Sequence, residues 1–156
     1  MEMEMVKPTT ENFHEMVVEV EWEAGSGTFA KFCGLTSNNV SRQSNMSTSE
    51  VPADCDDESK PSNLERAVQS QEQTVSGTGV WAAQSNGKAL LWWRSGTTKL
   101  VRIGHMNAAV GDPEYETGPA YLTQLNNSRE KGQKVTAEIQ IEFDGLPDIT
   151  VKDAGP

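Results

Sequence analysis

The chain has 156 residues, enough for one folded unit around a single core, and carries 23 acidic against 13 basic side chains for a formal charge of −10. That balance repels phosphate and argues against tight nucleic-acid binding. No run approaches the roughly 18–20 apolar residues of a membrane helix, and the Met1-Glu2-Met3-Glu4-Met5 start lacks the basic flank and apolar stretch of a secretion signal, so a soluble, unsecreted chain with no membrane partner and with Cys33 and Cys55 as reduced thiols is expected.

In chain order, residues 1–12 form an acidic, methionine-rich arm. Met16 to Glu23 then alternate apolar and acidic, the period of a half-buried strand. Ala24-Gly25-Ser26-Gly27 turns the chain into Thr28 to Cys33, so the first two strands are expected to form a hairpin. Ser37 to Ser49 is rich in Ser, Asn and Thr with only Val40 and Met46 apolar, which predicts an exposed strand or loop. Val51 to Pro61 joins two prolines to four carboxylates, a composition that solvates backbone, and a long mobile loop is drawn over about residues 41–62.

Gln73 to Trp81 is β-branched with two glycines where a neighbouring backbone can approach closely, and an internal strand is predicted. Ser85 or Asn86 is expected to cap a short helix that buries Ala89, Leu90 and Trp93 on one face and ends at Gly96. Trp92 and Trp93 are adjacent and point apart, so at most one joins Leu90 in the core. The other is available to a neighbouring subunit. Lys99 to Ile103 returns to strand, Gly111-Asp112-Pro113 and Gly118-Pro119 punctuate a connecting segment, and Ala120 to Leu125 forms another short strand. Val135 to Phe143 alternates over nine positions, with one face core and the other wet. The fold class expected is mainly β: an antiparallel β-sandwich or barrel spanning residues 13–151, with one short α-helix packed against it and a C-terminal tail at 152–156.

Several conspicuous groups fit bland roles better than chemical ones. Asp54, Asp56, Asp57 and Glu58 lack the alternation and turn glycine of a calcium loop, and the carboxylates beside Cys55 disfavour its thiolate. His14 and His105 have no recognisable zinc-ligand spacing, and Gly77-Thr78-Gly79 lacks the Lys-Ser or Lys-Thr that follows a phosphate loop. No nucleophile, base and orienting group fall in one neighbourhood, so no catalytic residue, metal or cofactor is assigned and an enzyme is not expected.

The order and spacing of Val51-Pro52-Ala53-Asp54-Cys55-Asp56-Asp57, Val75-Ser76-Gly77-Thr78-Gly79-Val80-Trp81, Leu90-Leu91-Trp92-Trp93, Leu100-Val101-Arg102-Ile103 and Gly118-Pro119-Ala120-Tyr121-Leu122 resemble the major tail tube proteins of long, flexible-tailed bacteriophages, over roughly Phe29 to Phe143. The resemblance implies a β-sandwich that self-assembles into hexameric rings, stacked around a tape measure protein into a hollow virion tail through which DNA passes. It further implies tail terminator and baseplate or distal tail partners, and assembly in the cytoplasm of a host bacterium. Glu19, Glu21, Glu23, Glu138 and Glu142 are the candidates for an acidic bore, the alternative being that they solvate an outer face. Ser47, Glu50, Asp54, Asp56, Asp57 and Glu58 are the candidates for an inter-ring loop. The rival readings are a β-sandwich that binds carbohydrate or a receptor through Trp81 or Trp92, and the tube of a contractile injection machine.

Overall fold

The structure, a computed structural model, describes residues 7–154; residues 1–6 of the N-terminal arm and the last two residues lie outside it. After a 3-10 turn at Phe13–Glu15 come strands β1 (Met16–Val20), β2 (Ala30–Lys31), β3 (Leu35–Val51) and β4 (Asn63–Val80), helix α1 (Ala83–Ser95), and strands β5 (Lys99–His105), β6 (Pro113–Ser128), β7 (Thr136–Phe143) and β8 (Asp148–Val151). Every strand pairing is antiparallel, in the order β2-β1-β5-β6-β7-β4-β3 with β8 added against β6. The expected mainly β fold with one helix is thus the one observed.

Strand β6 organises the sheet. Its first half pairs with β5 from Tyr115 to Ala120 and with β8 from Pro113 to Thr117. Its second half, Ala120 to Ser128, pairs with β7. The predicted connecting segment around Gly118-Pro119 is therefore strand. Pro119 stands opposite Leu100, and at Gly118 an added Cβ would lie 2.9 Å from the Pro147 backbone, so the glycine permits the crossing chain to approach. Two leaves result, β2-β1-β5-β6-β8 and β6-β7-β4-β3, sharing β6. Arg42 on β3 reaches Glu116 on β6 although β4 and β7 separate those strands along the sheet, so the leaves fold face to face as a sandwich.

Period-2 alternation decides what fills the space between them. Val18 and Val20, Val101 and Ile103, Ala120 and Leu122, Ile139 and Ile141, and Val75 all turn inward and are buried. Helix α1 closes one side with Ala89 and Trp92; the Trp92 ring meets Trp22 edge-on at 6.1 Å, and its Nε1 donates to the Thr97 carbonyl at 2.9 Å.

The helix differs from expectation in its phase. It begins at Ala83 with Ala82 as an N-cap lacking a side-chain bond, and it buries Ser85, Asn86, Ala89 and Trp92 while leaving Leu90, Leu91 and Trp93 exposed. Ser85 and Asn86 are thus inside the first turn, where Ser85 Oγ donates to the Cys33 carbonyl and Asn86 Nδ2 to the Ala82 carbonyl. The Ser85 bond ties this face of the helix to the segment after β2 while the Asn86 bond stays within the first turn, and with this face inward Leu90 and Trp93 point outward. Gly96 ends the helix in the left-handed region at φ 65°, as the sequence predicted.

Residues about 41–62 are also not one loop. Strands β3 and β4 pair continuously from Leu35↔Gly79 out to Val51↔Asn63, leaving only 52–62 as a connecting loop. Pairing with each other bonds the inward-facing half of the two strands' backbone groups and leaves the outward-facing half to solvent, so a ribbon polar on both faces can form with no apolar alternation to mark it.

Candidate assembly surfaces

The β3–β4 ribbon leaves the body at Thr74, the last β4 residue paired with β7. Beyond it Asn63–Gln73 and their β3 partners have no third strand beside them, so the ribbon runs on as an arm for roughly 35 Å at ~3.4 Å per residue. Of the sequence-predicted inter-ring residues, Ser47 and Glu50 are strand residues on this arm, opposite Ala67 and Leu64; Asp54, Asp56, Asp57 and Glu58 form its tip. Cross-strand register puts Met46 beside Val68 and places Leu64 further along the same face, and all three are exposed. This apolar strip continues the core-facing side of the sheet past the point where the body stops covering it.

At the tip the chain folds into Asx turns. The Asp56 N–H donates to Asp54 Oδ1 at 2.9 Å and Lys60 Nζ lies 3.3 Å from Asp54 Oδ2, which together hold the Asp54 carboxyl below its ordinary value. The Ser59 hydroxyl and backbone N–H do the same for Asp57.

The root of the arm is fixed by a polar cluster that sequence reading did not anticipate. Arg42 donates through Nε to Glu116 Oε1 at 3.2 Å and through its terminal nitrogen to Oε2; Gln73 Nε2 is 3.4 Å from Oε1, and His105 Nε2 is 3.7 Å from Oε2. His105 Nδ1 lies 3.2 Å from Glu11, which brings the N-terminal segment into the same network. Burial pushes the Glu116 carboxyl up, but Arg42, Gln73 and His105 outweigh it and hold the group below the usual carboxylate range. These residues come from segments far apart in sequence, and none forms a local motif.

The five acidic residues assigned to a bore do not share one surface. Glu138 and Glu142 point outward from β7, among Thr74, Thr78, Tyr121 and Asn126 on the paired strands. Glu19 belongs to the outer side of the other leaf, where it pairs with Arg102 at 3.1 Å; the Arg102 guanidinium is held between the Phe29 and Tyr115 rings at 4.3 and 4.4 Å. Glu21 is buried: the chain leaves β1 at Val20, and the carboxylate turns in to accept the N–H groups of Gly25 (2.9 Å) and Gly27 (3.1 Å). Glu21 is thereby a turn anchor, and Glu23 lies exposed in that turn.

The second leaf has two unpaired margins. Strand β3 has only β4 beside it, and β6 from Tyr121 to Ser128 has only β7, because β5 stops at Ala120. Open margins on a sheet whose inner face is already packed are sites for pairing with another chain.

No curated protein matches this chain. Among solved structures it is similar to the tail of an empty gene transfer agent particle refined with C6 symmetry (TM-score 0.69, 18% identity, 91% of this chain and 100% of that one). It is also similar to the SPP1 tail tube (TM-score 0.64, 13% identity, 92% of this chain and 81% of that one). The model of the phage tail tube protein family matches residues 10–148, and the chain belongs to that family.

Proposed function

We propose that six copies of this chain close into a ring by pairing the free margin of β3 with the free β6 margin, Tyr121–Ser128, of the next copy, and that rings stack into a hollow virion tail for DNA. The observation that carries this reading is the pair of open margins on one four-stranded leaf, since a heterologous contact that closes by rotation needs two different edges on each copy. A C6 tail built from a similar fold supports the ring number. Six such leaves give about 24 strands. At ~4.8 Å spacing and ~40° tilt the backbone circle is about 48 Å across, leaving roughly 35–40 Å inside the side chains. A duplex passes through such a bore without gripping it.

The core occupies the inner face of the leaf, so the opposite face, with Glu138, Glu142 and their Thr and Asn neighbours, becomes the bore wall. Negative, hydroxyl-rich walls deny DNA the counterion release that drives binding. Glu19, on the other leaf, is assigned to the outside. The β3–β4 arm reaches the adjacent ring, where its Met46, Val68 and Leu64 strip gains cover. The tape measure protein fills the bore before DNA does, and terminator and distal tail proteins meet the end rings.

Electron microscopy of the purified chain, alone and with its tape measure protein and tail initiation complex, tests the proposal. Hollow rods with six-fold cross-section are expected. A chain that stays solitary in both preparations refutes it.

A further inference from the structure

Three of the 13 basic residues of this acidic chain, Arg129, Lys131 and Lys134, fall within the short turn between β6 and β7, where Glu130 is the only carboxylate. All three are exposed, and among the described residues none has an ion-pair partner within 4 Å. Their place follows from register. Val80 and Ser128 both pair with Thr136, so the turn caps the end of the second leaf at which β4 finishes. The acidic tip lies at the other end of the same strand, beyond Asn63, with Asp54, Asp56, Asp57 and Glu58 against Lys60 alone. Asp56, Asp57 and Glu58 likewise have no ion-pair partner among the described residues. One leaf therefore carries a positive pole and, about 60 Å away along β4 at ~3.4 Å per residue, a negative one.

The other cationic cluster does not compete equally. Lys99 already donates to the Trp22 carbonyl at 2.9 Å, and Lys88 and Arg94 lie on helix α1, outside the strands of the second leaf.

We propose that the β6–β7 turn is the receptor for the hairpin tip of a copy in the neighbouring ring, so that rings stack head to tail by pairing Arg129, Lys131 and Lys134 with Asp54, Asp56, Asp57 and Glu58. The inference rests on the tube reading and names the second half of its axial contact. Opposite poles give the stack direction: two tips or two turns brought together repel, so rings add in one orientation. The Asx turns support the pairing, because the backbone N–H groups of Asp56 and Ser59 hold the Asp54 and Asp57 carboxylates in place before contact.

The test uses the full chain with its tape measure protein and initiation complex. Tubes of the natural chain are expected to shorten as salt is raised. Arg129→Glu, Lys131→Glu and Lys134→Glu together, or Asp54→Lys, Asp56→Lys and Asp57→Lys together, are each expected to cut tube length at least tenfold while leaving rings, and combining the two sets to restore it. A covalent readout guards against a variant that misfolds. With Cys33→Ser, the exposed native Cys55 is expected to form disulfides with Lys131→Cys, giving a ladder of linked copies in tubes and none in dispersed protein. Normal tubes from the turn variant at every salt concentration, or no ladder in intact tubes, overturn the inference alone. Normal tubes that lose DNA-dependent behaviour also overturn it and assign the turn to phosphate. Absence of tubes from the natural chain defeats the tube reading and the inference with it.

Discussion

At the scale of single residues, two side chains and one glycine hold parts of the fold that no local pattern reveals. Glu116 ties the root of the arm to β6. Replacing it with Gln leaves Arg42 without its charged acceptor and is expected to cost about 1–3 kcal/mol, measured by urea unfolding at neutral pH. Because the folded carboxyl titrates below its ordinary value, its contribution is present above the unfolded-state value and is lost as pH falls through the folded one. The stability gap between the natural chain and Glu116→Gln is therefore expected to close on acidification, and a gap that holds constant into acid would show that the charge contributes nothing. Glu21 plays the equivalent part in the glycine turn after β1. Gly79 is more severe: a Cβ there would lie 2.1 Å from the Gly34 carbonyl oxygen and 2.7 Å from Leu35 Cα, both backbone. Gly79→Ala is expected to destabilise by at least 3 kcal/mol, roughly the upper end for single changes, visible as loss of soluble folded protein or a melting temperature more than ~10 °C lower.

At the scale of elements, the arm is separable from the body. Core residues all lie outside 47–61, and before the ribbon departs β4 is already paired to β7 on one side and to β3 on the other. Deleting Ser47 to Pro61 is expected to leave a monomer whose melting temperature changes by only a few degrees and which no longer forms tubes; intact tubes from this deletion would remove the arm from the axial contact. The strands with one buried face were legible in sequence: β1, the β4 stretch from Gln73, β5 and β7 all carry their alternation. The outer arm was not, because a ribbon wet on both faces has no reason to alternate. Helix α1 was legible in existence and in its Gly96 end, but not in phase. Its phase goes with burial of Ala89 and Trp92 and with the Ser85 bond to the Cys33 carbonyl, a long-range contact that the Leu90-Leu91-Trp92-Trp93 run cannot announce.

At the scale of the whole molecule, the chain is a sandwich whose one leaf is incomplete at both margins and whose long ribbon has an uncovered apolar strip. In the proposed tube, assembly with copies of itself covers both. Placing Glu138 and Glu142 in the bore has a direct consequence: Glu138→Lys with Glu142→Lys is expected to build normal tubes but slow DNA ejection several-fold, more at low salt, because the wall then releases counterions from passing phosphate. Ejection at the natural rate would return these residues to an outer surface.

What the sequence determined by itself was the mainly β class, the single helix, the strands with one buried face and the acidity of the outer positions on β7. Those features follow from local period and composition. Only the tertiary structure decided that Glu21 turns inward, that Glu19 and Glu142 lie on different leaves, that Glu116 meets Arg42, and that the basic turn and the acidic tip stand at opposite ends of one leaf. Each of these depends on strand register and on which leaf a strand joins, and pairings between residues far apart along the chain leave no imprint on the neighbours of either one.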